Sequence, residues 1–139
     1  MILGFKTKVN GKLTHFVQKI RASVLLEWAE AYIPKKHTIR HGKRWRAGMK
    51  LHLATGVRTK DYFQFNENIK GLEVCISVQD IKITHQGGAM YVTVDGKHLT
   101  AEKVEELAIN DGFENVQAFM EWFNSDFEGQ IIHWTDLRY

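Results

Sequence analysis

From Pro34 the chain runs Pro34-Lys35-Lys36-His37-Thr38-Ile39-Arg40-His41-Gly42-Lys43-Arg44-Trp45-Arg46-Ala47-Gly48, and the rest of its organisation follows from this stretch. Pro34 is the only proline; it pushes Ile33 out of the helical region and closes whatever helix precedes it. Lys36 to Arg40 reads as a short strand with Thr38 and Arg40 on one face and His37 and Ile39 on the other. Gly42 and Gly48 bracket a basic turn, after which Leu51 and Leu53 alternate with His52 and Ala54 in a second strand over 49–57. On a regular strand Lys35 would face away from Thr38, so the two can cooperate only if the chain bends after Pro34. A lysine crowded by other cations and partly desolvated has its pKa lowered and becomes a general base near neutral pH. The plain alternative is a solvated basic strand.

Upstream, Met1 to Phe5 is a short apolar strand. Apolar positions spaced three and four apart predict an amphipathic helical segment over 14–32, with a break at 21–23. Downstream, 62–66 forms a further strand. In 72–84 the apolar phase slips by one between Val78 and Ile81, which predicts a bulge or bend at Gln79 and Asp80. Met90 to Val94, Asp95-Gly96 and Lys97 to Leu99 form a hairpin, because Asp-Gly tolerates the two positive φ angles of a type I′ turn. Thr100 caps a helix whose Val104, Leu107 and Ala108 share a face, ending near Asn110. Val116, Phe119, Met120 and Phe123 mark a second helix, for which Asp111 and Glu114 have the spacing of an N-cap and its capping-box partner. Gly129 precedes a last strand, 130–134.

These elements predict a single α+β domain over residues 1–139, in which short, mostly antiparallel strands close into a small barrel flanked by helices. The composition, 44% apolar and 25% charged over 139 residues, is that of a chain that folds on its own. The apolar run needed to span a membrane and the features of a signal peptide are missing, so a cytoplasmic location and no membrane partner are expected. The single Cys75 allows no internal disulfide and no cysteine cage. His37, His41 and His52 are too loosely patterned for a metal site, and no metal or cofactor is expected.

Charge is uneven along the chain. No acid lies between Glu30 and Asp61, whereas Lys35, Lys36, Arg40, Lys43, Arg44, Arg46, Lys50, Arg58 and Lys60 do; residues 101–130 carry eight acids against Lys103 alone. One cationic and one anionic face are expected, and two such faces can also simply attract each other within the fold. Trp45 among Lys43, Arg44 and Arg46 is the aromatic placed to stack on a nucleobase while the cations hold phosphates, unless it packs at the barrel mouth. Tyr62, Phe63 and Phe65 read as core rather than as a stacking surface, because Phe63 and Phe65 alternate with Gln64 and Asn66; Trp28, Trp122 and Trp134 read as packing.

The run from Lys35 through Thr38-Ile39-Arg40 to Ala47-Gly48 and Met49-Lys50-Leu51 resembles the ASCH domain of the PUA-like β-barrel superfamily. So do Leu107 to Phe113, the helix carrying Phe119 and Trp122, and Ile131-Ile132-His133-Trp134. The likeness covers most of the chain from residue 35 onward. The wording of 37–40, 54–60 and 134–139 is similar to ASCH-like proteins of phages and prophages, which implies a host cytoplasm if the chain is phage-encoded.

That resemblance implies a cationic cleft accepting RNA or a modified nucleoside. Some small ASCH proteins are amidohydrolases that remove the acetyl group of N4-acetylcytidine, using a Lys and a Thr within Lys-x-x-Thr-Ile-Arg and a Glu before a later helix. Lys35 and Thr38 match the first two, and the third falls at or near Asp111, one methylene shorter. The chemistry is coherent: Thr38 as nucleophile, Lys35 as base, Arg40 as oxyanion donor, Asp111 orienting Lys35. Lys36, Lys43, Arg44, Trp45, Arg46 and Arg58 would contact the nucleic acid. A ribonuclease using the same cleft and a non-enzymatic module that binds a protein partner through the turn at 40–50 are the alternatives.

Overall fold

The computed structural model describes all 139 residues. In chain order its elements are β1 (Ile2–Phe5), β2 (Lys8–Val9), β3 (Lys12–Leu13), α1 (Phe16–Ala22), α2 (Leu26–Ala29), β4 (His37–His41), β5 (His52–Thr55), β6 (Phe63–Gln64), β7 (Ser77–Gln86), β8 (Ala89–Val94), β9 (Lys97–His98), α3 (Ala101–Asn110), α4 (Val116–Trp122) and β10 (Phe127–His133). A five-stranded antiparallel sheet, ordered β4-β10-β7-β8-β9, divides the molecule. On one side α3 and α4 pack against it through Ile39, Ile81, Ile83, Leu107, Phe119 and Ile131. On the other lie α1 and the three-stranded sheet β1-β5-β6, enclosing Leu3, Phe5, Ile20, Leu53, Phe65 and Ile132. Both faces of the central strands are therefore buried.

The α+β class is observed, with mostly antiparallel pairing, but no closed barrel forms. β1 pairs with β5 in parallel, and the strands belong to separate sheets. The segment before β7 stitches them on one side, with Cys75 N–H donating to the Met49 carbonyl and Ile76 N–H to that of His133. On the other side the Gly4 carbonyl of β1 accepts from the Arg40 guanidinium of β4 at 2.7 Å, a side chain where a barrel would have a strand amide. No helix is long and apolar enough to cross a membrane.

The phase slip in 72–84 is not a bulge. β7 pairs with β10 residue for residue from Ser77↔His133 to Ile83↔Phe127. Val78 faces one core, Ile81 and Ile83 the other, and Gln79 takes the inward position between them because its amide is bonded to Asp95, Tyr139 and His133. The Asp95-Gly96 turn is as expected, with φ of 49° and 80°. Thr100 caps α3 alone, accepting from Lys103 N–H at 3.2 Å. The helical segment breaks after Ala22.

Two local expectations are corrected. The N-cap of α4 is Asn115, whose side chain accepts from Ala118 N–H at 2.8 Å; Asp111 instead ends α3, and its carboxylate turns inward. Gly129 lies within β10, where a Cβ would meet the Arg40 carbonyl at 2.1 Å, so a bare backbone is what lets β4 lie alongside.

Candidate functional site

Lys35 leaves the Pro34 bend with its N–H bonded to the Lys19 carbonyl, and Lys36 N–H reaches the Asn110 carbonyl at 2.7 Å, so the bend is tied to both α1 and the end of α3. β4 then starts at His37. This places the Lys35 ammonium against the end of α3, where it donates to Asp111 Oδ1 at 3.2 Å and to the Asp111 backbone carbonyl. Lys35 is 3% exposed and Asp111 5%. An ion pair so far from water survives only with its donors and acceptors matched. Gly112, at φ +95°, closes against the site: a Cβ there would meet Lys35 Cδ at 2.9 Å and Phe16 Cε1 at 3.1 Å.

Asp111 has a second buried donor. His37 Nδ1 lies 3.2 Å from Oδ1, and its Nε2 lies 2.7 Å from the Tyr139 hydroxyl. Because a carboxylate only accepts, Nδ1 carries the proton; Nε2 of the neutral ring then accepts from Tyr139, whose oxygen accepts from Asn110 Nδ2 at 3.1 Å. The donors run in one direction from Asn110 to Asp111. Burial lowers the His37 pKa, opposed by its hydrogen bond to Asp111, so the ring stays neutral. His133, facing His37 across the β4–β10 pair, is pushed down to about 3 by burial first and then by His37 and Arg138.

Thr38 and Arg40 share a face as expected. Arg40 Nε donates to Thr38 Oγ1 at 3.2 Å, and the guanidinium lies 4.9 Å from the Phe5 ring. The Lys35 ammonium sits 5.9 Å from the same ring and 5.2 Å from Phe16. The site is thus two polar pairs, Lys35 with Asp111 and Arg40 with Thr38, against a shared aromatic wall. No hydrogen bond joins Lys35 to Thr38. Desolvation lowers the Lys35 pKa to about 8, helped by Arg40 and Lys19 and opposed by Asp111.

Lys35, Thr38 and Asp111 line neither of two neighbouring surface hollows, which measure about 380 and 450 Å³. Phe16 lines the first and Phe5 the second, so both rings of the wall also border open space.

The basic turn divides. Lys43, Arg44, Arg46 and Arg58 are exposed and Lys36 is half-buried. Lys43 pairs with Asp80 at 3.6 Å and Arg44 lies over the Trp45 ring at 5.0 Å. Trp45 is 5% exposed and belongs to the core, so its ring is closed to a nucleobase; its backbone is clamped by the Gln130 amide from both sides. Phe65 is core but Tyr62 and Phe63 are exposed, Phe63 to 53%, because β6 ends the sheet and has only β5 beside it. Trp134 is buried, whereas Trp122 is half exposed.

Sequence reasoning missed His37 and Tyr139. Alternation put His37 on the face opposite Thr38, which is correct, but that face is closed by the ends of α3 and of the chain. A histidine two residues before Ile39, on the same face of the strand as that buried side chain, was the available signal. No group of three His, Cys, Asp or Glu side chains converges to hold a metal. No family model, no curated protein and no solved structure matches the chain.

Proposed function

We propose that this chain is an ASCH-type, PUA-like domain that binds RNA or a modified nucleoside and hydrolyses an N4-acetylcytidine-type amide at Lys35, Thr38, Arg40 and Asp111. The observation that carries this reading is the buried Lys35 amine, held by Asp111 and beside Arg40, with its pKa lowered to about 8. A buried amine that releases its proton just above neutrality is suited to general-base work.

In this reaction the Lys35 amine, once neutral, swings from Asp111 to within hydrogen-bond reach of Thr38; Thr38 Oγ adds to the acetyl carbon and its proton passes to Lys35. Arg40 bears the oxyanion. The C–N bond breaks as that proton moves to the leaving exocyclic nitrogen, and water then releases acetate from Thr38. The Arg40–Thr38 bond must open on substrate binding. Phe5 turns aside to admit the base.

The test follows product from N4-acetylcytidine. Lys35→Met, which keeps the buried stem, and Thr38→Ala should each lower kcat/KM by at least about a hundredfold. In the unsubstituted protein kcat/KM should rise with pH through about 8 as Lys35 deprotonates. Turnover that survives both substitutions, or a flat profile across that pH, overturns the assignment.

A further inference from the structure

The basic turn was the expected meeting place of cations and an aromatic ring, and the burial of Trp45 removes it. The same combination occurs elsewhere in the molecule. Residues 1–26 carry Lys6, Lys8, Lys12, Lys19 and Arg21 and no acid before Glu27. Lys6-Thr7 is a ridge with a hollow on each side, both of which it lines. One is closed by His15, Phe16, Tyr32 and Thr55, the other by Gly4, Phe5, Gly56 and Val57, and neither is lined by an acid. Both volumes fall in the range of small-molecule sites, ~300–1000 Å³.

The ridge is held in place. Thr14 Oγ1 donates to the Lys6 carbonyl at 2.7 Å and Thr14 N–H to that of Thr7 at 2.9 Å. Aromatic side chains surround it. His15 lies 5.7 Å from Tyr32, and Tyr32 lies 6.1 Å from Trp28. His15 is exposed and sits at φ 56°, a left-handed conformation that costs a non-glycine residue energy and has no side-chain cap bond to offset it.

From this arrangement we infer that the Lys6-Thr7 ridge and its flanking hollows form a groove for single-stranded RNA, with one base against His15 and Tyr32 and phosphates on Lys6 and Lys8. His15 is exposed and Tyr32 half-buried, and stacking on such accessible rings with cations beside them is how strands are held without sequence readout. The inference rests on the nucleic-acid half of the function proposed above and deepens it. The groove borders Phe5 and Phe16, the wall against which Lys35 lies, so a strand seated here passes beside the proposed reaction centre.

The test measures fluorescence anisotropy of a labelled oligouridylate of about ten nucleotides, the span of a small strand-binding domain. Tyr32→Ala and His15→Gly should each weaken binding about tenfold, the loss of stacking on one base. Glycine at position 15 relieves the backbone strain, so a loss there is not a folding defect. Lys6→Gln and Lys8→Gln should each lower the slope of log K against log salt by about 0.7. Inorganic polyphosphate at equal charge should compete poorly.

If the strand binds but only Lys43→Gln, Arg44→Gln and Arg46→Gln weaken it, the groove is wrong and the RNA reading stands. Equal competition by polyphosphate likewise overturns the stacking. No binding by the unsubstituted protein sinks the groove and RNA binding together. Turnover of free N4-acetylcytidine, measured separately, then decides whether the nucleoside half survives.

Discussion

Two lysines lie against aromatic rings in this molecule, Lys35 at 5.2 Å from Phe16 and Lys6 at 5.6 Å from Trp122, and they have little else in common. Lys35 is buried with a carboxylate, a backbone carbonyl and a neutral histidine arranged around it. Lys6 is exposed on a ridge whose hollows contain no acid. What separates them is water. The first charge must be matched from within the protein, so its neighbours are fixed and its pKa moves; the second is matched largely by solvent.

Breaking the match at Lys35 should give the largest effect. Asp111→Ala leaves an ammonium buried without its counter-ion and should cost about 3–5 kcal/mol in urea unfolding at pH 7, whereas Lys8→Ala on the ridge should change stability by less than about 0.5 kcal/mol. Lys35→Met combined with Asp111→Asn, which keeps an acceptor for His37, should recover most of the loss. A double variant as unstable as Asp111→Ala would show that charge matching is not what the site supplies.

Titration sharpens the same contrast. The Lys35 pKa is about 8 in the folded protein and 10.5 when unfolded, so between these values the unfolded chain binds the extra proton. Stability should therefore rise with pH above about 8, by roughly 2 kcal/mol at pH 10, and Lys35→Met should abolish the rise. Above pH 10 the buried Tyr139 hydroxyl, whose pKa is raised, opposes it. On the acid side His133 titrates at about 3 folded and 6.5 unfolded. Its contribution is complete above pH 6.5 and is lost as pH falls toward 3, with His37 acting in the same direction. His133→Gln should flatten that limb in a series of unfolding curves.

Glycine replacement gives a smaller difference between the two regions. Gly112 and Gly11 both have left-handed backbones, φ +95° and +77°. A Cβ on Gly112 strikes the Lys35 stem, while one on Gly11, in the turn between β2 and β3, meets nothing within 4 Å. Gly11→Ala should cost about 1–2 kcal/mol for the backbone alone, and Gly112→Ala a further ~1–3 kcal/mol for the crowding. Equal losses would mean that the Lys35 stem yields freely and the pocket is not tightly packed.

The sequence made the elements legible wherever one local signal decided them. Asp95-Gly96 named its turn, Thr100 its cap, and Val104, Leu107 and Ala108 the buried face of α3. Legibility failed where a residue serves two layers. Gln79 looked like a break in the pattern because the sheet has a core on each side, so a one-sided alternation does not apply to β7. Asp111 had the spacing of an N-cap, but Asn115 is nearer to α4, which leaves Asp111 free to turn inward. In the candidate site, local spacing was enough to pair Thr38 with Arg40, and the resemblance pointed to Lys35 with Asp111. His37 and Tyr139 are 102 residues apart and only the fold brings them together. For Trp45 the sequence leaves stacking and packing both open, because neighbouring charges say nothing about which way a ring turns, and the fold selects packing.

The smallest expected effect is the one that most directly tests whether the ridge is free. Lys6 over Trp122 is a cation–π contact open to solvent, and such contacts are worth about 0.5–1 kcal/mol. A double-mutant cycle of Lys6→Gln with Trp122→Leu should return a coupling near the bottom of that range, shrinking as salt is raised, because exposed charges are screened within about 10 Å at 0.1 M. A salt-insensitive coupling well above 1 kcal/mol would mean that Lys6 is engaged by the fold much as Lys35 is. A lysine so engaged would have to give up Trp122 before it could hold a phosphate, and the distinction between a charge used for structure and one left for a ligand would no longer hold.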